Sequence, residues 1–248
     1  MTVHFVGAGP GAADLLTVRA VRLLESAGTV LYPGTYLDEE VLSYARDAEL
    51  VDTQDLDLDQ ITKHLVAAHE RGEDVVRLCS GDPSVYSALT EQKARLDVAG
   101  VPWDVVPGVP AYAAAAALLR AELTVPEVAQ SVVLTRTQQR STVMPEAEEL
   151  ERFAATGSTL VLHLSVRRTT ELAERLTPYY GAACPVAVVY RASQPGQQVL
   201  IGALATIGEQ VERAGLTQAA LILVGPALAA RTSRGSFLYD PARERRTR

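Results

Sequence analysis

The chain is poor in cysteine, lysine, histidine and tryptophan, and it has no long apolar run. Its two cysteines, Cys79 and Cys184, are far apart and each sits among apolar neighbours. That excludes a disulfide-stapled scaffold and makes buried free thiols the expectation. The four histidines (His4, His64, His69 and His163) are scattered and share no spacing with the cysteines. A metal centre wants three or four convergent ligands, so none is expected. No Gly-x-Ser-x-Gly elbow is present for a nucleophilic serine, and no lysine follows a glycine-rich turn as a phosphate loop requires. The longest run of small residues, Ala113 to Leu119, falls far short of the ~20 residues of a membrane span. The N-terminus passes directly into a strand pattern without a basic-then-apolar leader. A soluble, cytoplasmic protein is the expectation.

Positive charge is also scarce. Lysine and arginine number 23 against 30 acidic residues, a formal net charge of -7, and the lysines are Lys63 and Lys93 alone. An acidic chain without a basic stripe argues against a nucleic-acid partner. The remaining cations are arginines, whose planar fork suits carboxylates.

What the chain does have is three glycine-proline corners, each behind a short apolar strand. Gly7-Ala8-Gly9-Pro10-Gly11 follows Val3 to Val6, Ser80-Gly81-Asp82-Pro83 follows Val75 to Cys79, and Pro107-Gly108-Val109-Pro110 follows Trp103 to Val106. Bare turns at the ends of parallel strands are where α/β proteins bind small ligands. Proline fixes φ in such a loop and so lowers the entropy cost of preorganising it.

Between the corners, strand and helix patterns alternate, which predicts a largely parallel sheet with covering helices. Helices are expected over 15–27, 39–45, 61–70, 85–99 and 112–120, and strands over 29–32 and 50–53. Asp55, Asp57 and Asp59 lack the glycine turn and closing glutamate of a calcium loop and read as a solvated helix lead-in. The second half predicts strands over 131–135, 159–164, 185–190, 198–204 and 220–224, with helices over 146–154, 169–176 and 207–214. Some of those strands are joined by short polar turns such as Gln194-Pro195-Gly196, so a mixed sheet is expected there. The domain boundaries are placed at 1–112 and 113–240, with a basic tail over 241–248 and Phe237-Leu238-Tyr239 docking before it.

The first corner does not carry a dinucleotide fingerprint. Ala12 stands where the third glycine belongs, and Tyr32-Pro33-Gly34 follows the second strand in place of a ribose-binding acid. Pro10 also removes an N–H that would face a pyrophosphate. Asp82 reads as a cap for the next helix, as a ligand contact, or as a carboxylate paired with the loop itself. With no nucleophile or metal in sight, the chemistry left is the positioning of two reactants.

In this order the corners resemble the tetrapyrrole (corrin/porphyrin) methylases that use S-adenosyl-L-methionine, and the resemblance spans essentially the whole chain. It rests on Gly7 to Gly11 with Asp14-Leu15-Leu16-Thr17, on Ser80 to Tyr86, and on Val106-Pro107-Gly108-Val109. Glu122-Leu123-Thr124-Val125-Pro126-Glu127, Thr135-Arg136, Met144-Pro145 and Ala192-Ser193-Gln194-Pro195 extend it. The Glu122 to Glu127, Thr135-Arg136 and Met144-Pro145 pieces look specific to the branch that methylates C11 of a ring-contracted tetrapyrrole for cobalamin. The alternatives are another methylase of that pathway (C20, C17 or uroporphyrinogen III C1/C7) and a noncatalytic tetrapyrrole-binding protein.

The resemblance implies two α/β domains of the class III methylase kind with a cleft between them, and a homodimer. It implies cofactor contacts from Pro10, Gly81, Asp82, Val85, Tyr86, Pro110, Ala111, Leu164 and Ala192, with S-adenosyl-L-homocysteine as product. Gly9, Pro10 and Gly11 would line the macrocycle trough. Arg120, Arg136, Arg140 and Arg191 are the expected partners of the substrate's rim carboxylates, and Asp82 and Tyr112 the candidate bases. The chain departs from the family pattern at Ser87, where glycine is usual, at Pro110-Ala111, where small hydroxyl residues are common, and at Ala203, where threonine is frequent.

Overall fold

The computed structural model describes residues 1–34, 37–137 and 143–230. They form two compact units. The first takes Met1–Ala115 together with Arg191–Gln198, and the second takes Ala116–Tyr190 and the described residues from Val199 on.

The first unit is a five-stranded sheet in the order β3-β2-β4-β1-β5. Its strands are β1 (Val3–Gly7), β2 (Thr29–Tyr32), β3 (Glu49–Asp52), β4 (Val75–Cys79) and β5 (Trp103–Val106). Every pairing is parallel, as the alternating pattern predicts. The helices are α1 (Val18–Ser26), α2 (Glu39–Leu42), α3 (Leu58–Glu70), α4 (Leu89–Ala99) and α5 (Ala111–Leu119).

Both faces of this sheet are covered, so its central strands read as continuous apolar runs. On one face Val6, Val30, Val76 and Leu78 pack with Ala20 and Leu24 of α1 and Val41 of α2. On the other, Val3, Phe5, Leu31, Val75 and Cys79 pack with Ile61 and Leu65 of α3 and Leu96 of α4. Each fully buried leucine contributes roughly 2 kcal/mol, so Leu24, the large buried side chain of α1, does most to dock that helix.

Helix starts are where the sequence pattern and the structure differ. Residues 13–15 form a separate 3-10 turn, and α1 begins only after Thr17, whose hydroxyl accepts from the Ala20 N–H at 3.1 Å. The Asp55-Asp57-Asp59 run supplies a cap: Asp57 accepts from the Gln60 N–H at 2.8 Å while Gln60 accepts from the Asp57 N–H at 2.9 Å. That reciprocal pair starts α3 three residues earlier than hydrophobic periodicity suggests. α4 starts four residues later than expected, because Tyr86 (φ 54°) and Ala88 (φ 53°) are left-handed and no helix runs through them.

The second unit is a five-stranded sheet in the order β6-β7-β10-β8-β9. Its strands are β6 (Val132–Arg136), β7 (Thr159–His163), β8 (Pro185–Tyr190), β9 (Gln198–Ala203) and β10 (Ala220–Val224). β6 and β7 are parallel, while β10 runs antiparallel to both β7 and β8, so the sheet is mixed as expected. Helices α6 (Leu150–Ala154), α7 (Thr169–Tyr180) and α8 (Leu204–Arg213) cover the face that carries Leu160, Leu162, Val186, Val188 and Ile222. α7 carries Pro178 inside its last turn, which is why the sequence pattern ends it early. Cys79 and Cys184 are buried free thiols, as expected. Among the described residues no helix is long and apolar enough to cross a membrane. The tail over 231–248, including Phe237-Leu238-Tyr239, lies outside the described residues.

Candidate active site

The strands that end in the three corners, β4, β1 and β5, are adjacent in the first sheet. Their order makes a switch point: the chain after β1 covers one face through α1, and the chain after β4 covers the other through α4. Open parallel sheets bind ligands outside the carboxyl ends of strands at such a point.

The corners are tied to one another by backbone. Gly9 donates to the Gly81 carbonyl at 3.1 Å and Gly81 donates to the Gly9 carbonyl at 2.8 Å, an isolated two-residue bridge beyond the sheet. A side chain built on Gly7 or Gly108 would run into the other residue's backbone and into the Gly81 carbonyl, all under 3.0 Å. These two glycines are therefore demanded by close approach rather than by flexibility. Gly81 is different. At φ +70° its missing Cβ would stand 3.6 Å from the Ala111 nitrogen and 3.7 Å from the Pro110 Cα, in ordinary contact.

Asp82 fastens the second corner to the third. One carboxylate oxygen accepts from the Ser84 N–H at 2.8 Å and from the Ser84 hydroxyl, and the other accepts from the Gly108 N–H at 2.8 Å. Partial burial pushes its pKa up, but these three donors outweigh that and hold it below the usual carboxylate value. A general base needs a free lone pair and a raised pKa. The geometry fits a loop tie instead.

A fourth segment joins the corners. Residues 191–198, between β8 and β9 in the chain, cluster with the first unit. Ser193 Oγ accepts from the Ala12 N–H at 3.1 Å, and the Gln194 side-chain amide donates to the Pro10 carbonyl at 2.7 Å. Ala192 and Gly9, Pro10 and Gly11 are buried. The trough expected along Gly9 to Gly11 is thus locally covered, because the Gln194 side chain lies where a Gly11 Cβ would be. Glycine at position 11 makes room for Gln194. Sequence alone does not mark Ser193 or Gln194 as contacts, since their partners lie more than 180 residues away.

Gly9, Pro10, Gly11, Gly81, Asp82, Val85, Tyr86, Pro110, Ala111, Tyr112, Arg191 and Ala192 thus all belong to the first unit. Tyr86 is 47% exposed beside the second corner. In the second unit Leu164 follows β7 at φ 54° and is 61% exposed. Arg136 ends β6 opposite His163, and Arg120 is exposed at φ 50° after α5. Arg140 lies outside the described residues. Arg120 and Arg136 make no ion pair among the described residues, whereas Arg71, Arg168 and Arg175 are all held by carboxylates.

His163 gives a pH prediction. Burial pushes its pKa down to about 4, below the ~6.5 of an unfolded histidine. The unfolded chain therefore gains a proton first as pH falls. Stability is full above about 6.5 and is lost as pH drops toward about 4, by up to ~3 kcal/mol from this group. Carboxylates such as Asp82 and Glu151, whose values are lowered by their donors, add their own loss further down. Urea midpoints at pH 7.5 and 5 for wild type and His163→Gln isolate the histidine, and the variant should lose less between the two.

Three looped strand ends with a bare glycine, a spent carboxylate and an exposed aromatic are the kind of arrangement with which open α/β sheets hold small ligands. The family of the chain follows from comparison. A sequence profile described as Tetrapyrrole (Corrin/Porphyrin) Methylases matches residues 2–208, and the chain belongs to that family. It is 51% identical over 248 residues to a Precorrin-4 C(11)-methyltransferase of Rhodococcus erythropolis, covering all of both chains. The solved structure of a cobalt precorrin-4 methyltransferase superposes with a TM-score of 0.88 at 34% identity, over 92% of this chain and 95% of that one. A Thermus thermophilus uroporphyrin-III C-methyl transferase complexed with S-adenyl homocysteine gives 0.75 at 30% identity, over 92% and 93%.

Proposed function

We propose that this chain is a precorrin-4 C11-methyltransferase, which moves the methyl group of S-adenosyl-L-methionine to C11 of precorrin-4 in cobalamin synthesis. The end-to-end 51% identity carries this reading. The first unit fits the methyl donor: Gly81 presents bare backbone beside Pro110 and Ala111, where a Cβ would only just fit, and Tyr86 offers an exposed ring. The donor brings a methyl group already activated on a positive sulfur. The protein therefore needs no nucleophile; its loops align the reactants and exclude water. Gly81, Val85, Tyr86, Pro110, Ala111, Leu164 and Ala192 are assigned to the donor and its product S-adenosyl-L-homocysteine. Tyr112 is the remaining candidate for handling a ring proton.

The test is turnover. Purified protein with methyl-labelled donor and precorrin-4 should place label at C11, read by NMR; label at another ring carbon or none would overturn the reading. A parallel arm with cobalt-precorrin-4 separates the two acceptors, since the solved neighbour at TM-score 0.88 is a cobalt precorrin-4 enzyme. The reading places the protein in the cytoplasm and includes a homodimer, the latter supported by the exposed Val199 and Ile201 on the edge strand β9.

Two substitutions probe the assignments. Arg136→Ala should weaken the polycarboxylate macrocycle by about 1.5–3 kcal/mol, roughly tenfold or more, and leave S-adenosyl-L-homocysteine affinity unchanged. Equal loss of both ligands in calorimetry would remove Arg136 as a substrate clamp. Gly81→Ala places a methyl in the donor space at a backbone cost of about 1 kcal/mol for the left-handed φ. The protein should stay folded and lose the product complex; unchanged affinity would take the second corner out of the site.

A further inference from the structure

We infer that Arg77 and Gln92 form a buried brace that sets the 83–88 turn, making them positioning residues for the methyl donor; this rests on the assignment of the second corner to that ligand. Arg77 is the one charged residue in the buried strand β4 and is 8% exposed. It shares a face with Phe5 and Leu31, its neighbours in register, and so points into the core beneath α3 and α4. Among the described residues no carboxylate pairs with it. Its Nε donates to Gln92 Oε1 at 3.1 Å, and another guanidinium nitrogen donates to the Leu78 carbonyl at 3.1 Å.

Gln92, 2% exposed on the second turn of α4, turns its other end outward. Its amide nitrogen donates to the Ser87 carbonyl at 3.1 Å and to the Ala88 carbonyl at 3.3 Å. These residues belong to the turn that holds Tyr86 and Ala88 left-handed. Non-glycine residues in that region cost of order 1 kcal/mol each and persist only when their surroundings impose them. The Ser87 hydroxyl adds a second tie by donating to the Pro83 carbonyl. A buried charge without a carboxylate is unfavourable for stability alone. Its use here is to fix the Gln92 amide so that its N–H groups face the turn, which fixes where Val85 and Tyr86 stand.

The amide's two ends separate this role from a merely structural one. Gln92→Glu keeps an acceptor for Arg77, now as a buried ion pair, and removes the donors to Ser87 and Ala88. Thermal stability should fall modestly, since the new carboxylate oxygen faces the Ser87 and Ala88 carbonyls, while S-adenosyl-L-homocysteine affinity of the folded protein falls by about tenfold, the equivalent of ~1.4 kcal/mol. KM for the donor should rise with it and kcat should change less. Ser87→Ala, on the surface side of the same turn, should weaken the product complex in the same direction. It keeps the inference testable if the glutamate variant does not fold. Wild-type affinity in either folded variant would overturn the brace. Gly81→Ala run alongside tells the two failures apart. If it abolishes binding while Gln92→Glu and Ser87→Ala do not, the brace fails and the site stands; if all three bind normally, the site assignment itself has failed.

Discussion

Gly108→Ala should cost the first unit at least ~3 kcal/mol, at or beyond the upper end of what overpacking usually costs. The added methyl would stand 2.7 Å from the Gly7 Cα and 2.8 Å from the Gly7 carbonyl carbon, and closer still to the Gly81 carbonyl oxygen. All three are backbone atoms, so no side chain can swing away. Gly7 cannot retreat, because it ends β1 in register with Cys79 of β4. Gly157→Ala is the control: it has nothing within 4 Å and suffers only the left-handed φ of +68°, worth about 1 kcal/mol. Urea unfolding of the two variants side by side should show the difference, and a Gly108 variant no worse than the Gly157 one would mean that the corners do not touch. Any Gly108→Ala protein that does fold should also fail to hold S-adenosyl-L-homocysteine, since relief of the clash must move Gly81.

Why glycine is needed at position 108 was not legible in the sequence. The sequence shows a Pro-Gly corner after a strand, and turn chemistry accounts for that without any neighbour. The close approach comes from strand order, which puts β5 beside β1 and β1 beside β4. What could be read was whatever local pattern decides. The bounds of β2, β4, β5, β8 and β10 follow from apolar runs closed by glycine, proline or polar turns. The mixed second sheet follows from its short connections.

Readings that rest on a particular side-chain partner are not legible in local pattern, whether the partner is near or far. The late start of α4 depends on Gln92 reaching back a few residues to Ser87 and Ala88, and the cover over Gly11 depends on Gln194, 183 positions later. Arg77 shows the same limit from the other side. A charge inside Val75-Val76-Arg77-Leu78-Cys79 breaks the apolar run visibly, yet its meaning rests on Gln92. Asp82 has several readings from sequence: a helix cap, a ligand contact, or a tie within the loop itself. The structure shows the tie, with Asp82 accepting from Ser84 within its own loop and from Gly108 across to the next.

That tie leads to the second large effect. Asp82→Asn should weaken both the fold and the donor site, because the new amide nitrogen cannot accept a hydrogen bond. Whichever way the side chain turns, either the Ser84 pair or the Gly108 N–H faces a donor. Hydrogen bonds to a charged acceptor contribute about 1.5–3 kcal/mol each, so a loss of roughly 2 kcal/mol in stability is expected. S-adenosyl-L-homocysteine affinity should fall by tenfold or more as the third corner comes loose. The pH response should change too. The wild-type carboxyl lies lower in the folded protein than in the unfolded chain. Its stabilisation is therefore present above the unfolded value of about 3.9 and is lost as pH falls through the folded one. The asparagine variant should lack that part of the acid limb. A general base would behave otherwise: kcat would drop by about 10²–10⁴ with stability and product affinity intact. Denaturation, calorimetry and turnover on one preparation of Asp82→Asn decide between them, and intact affinity with collapsed kcat would return Asp82 to catalysis.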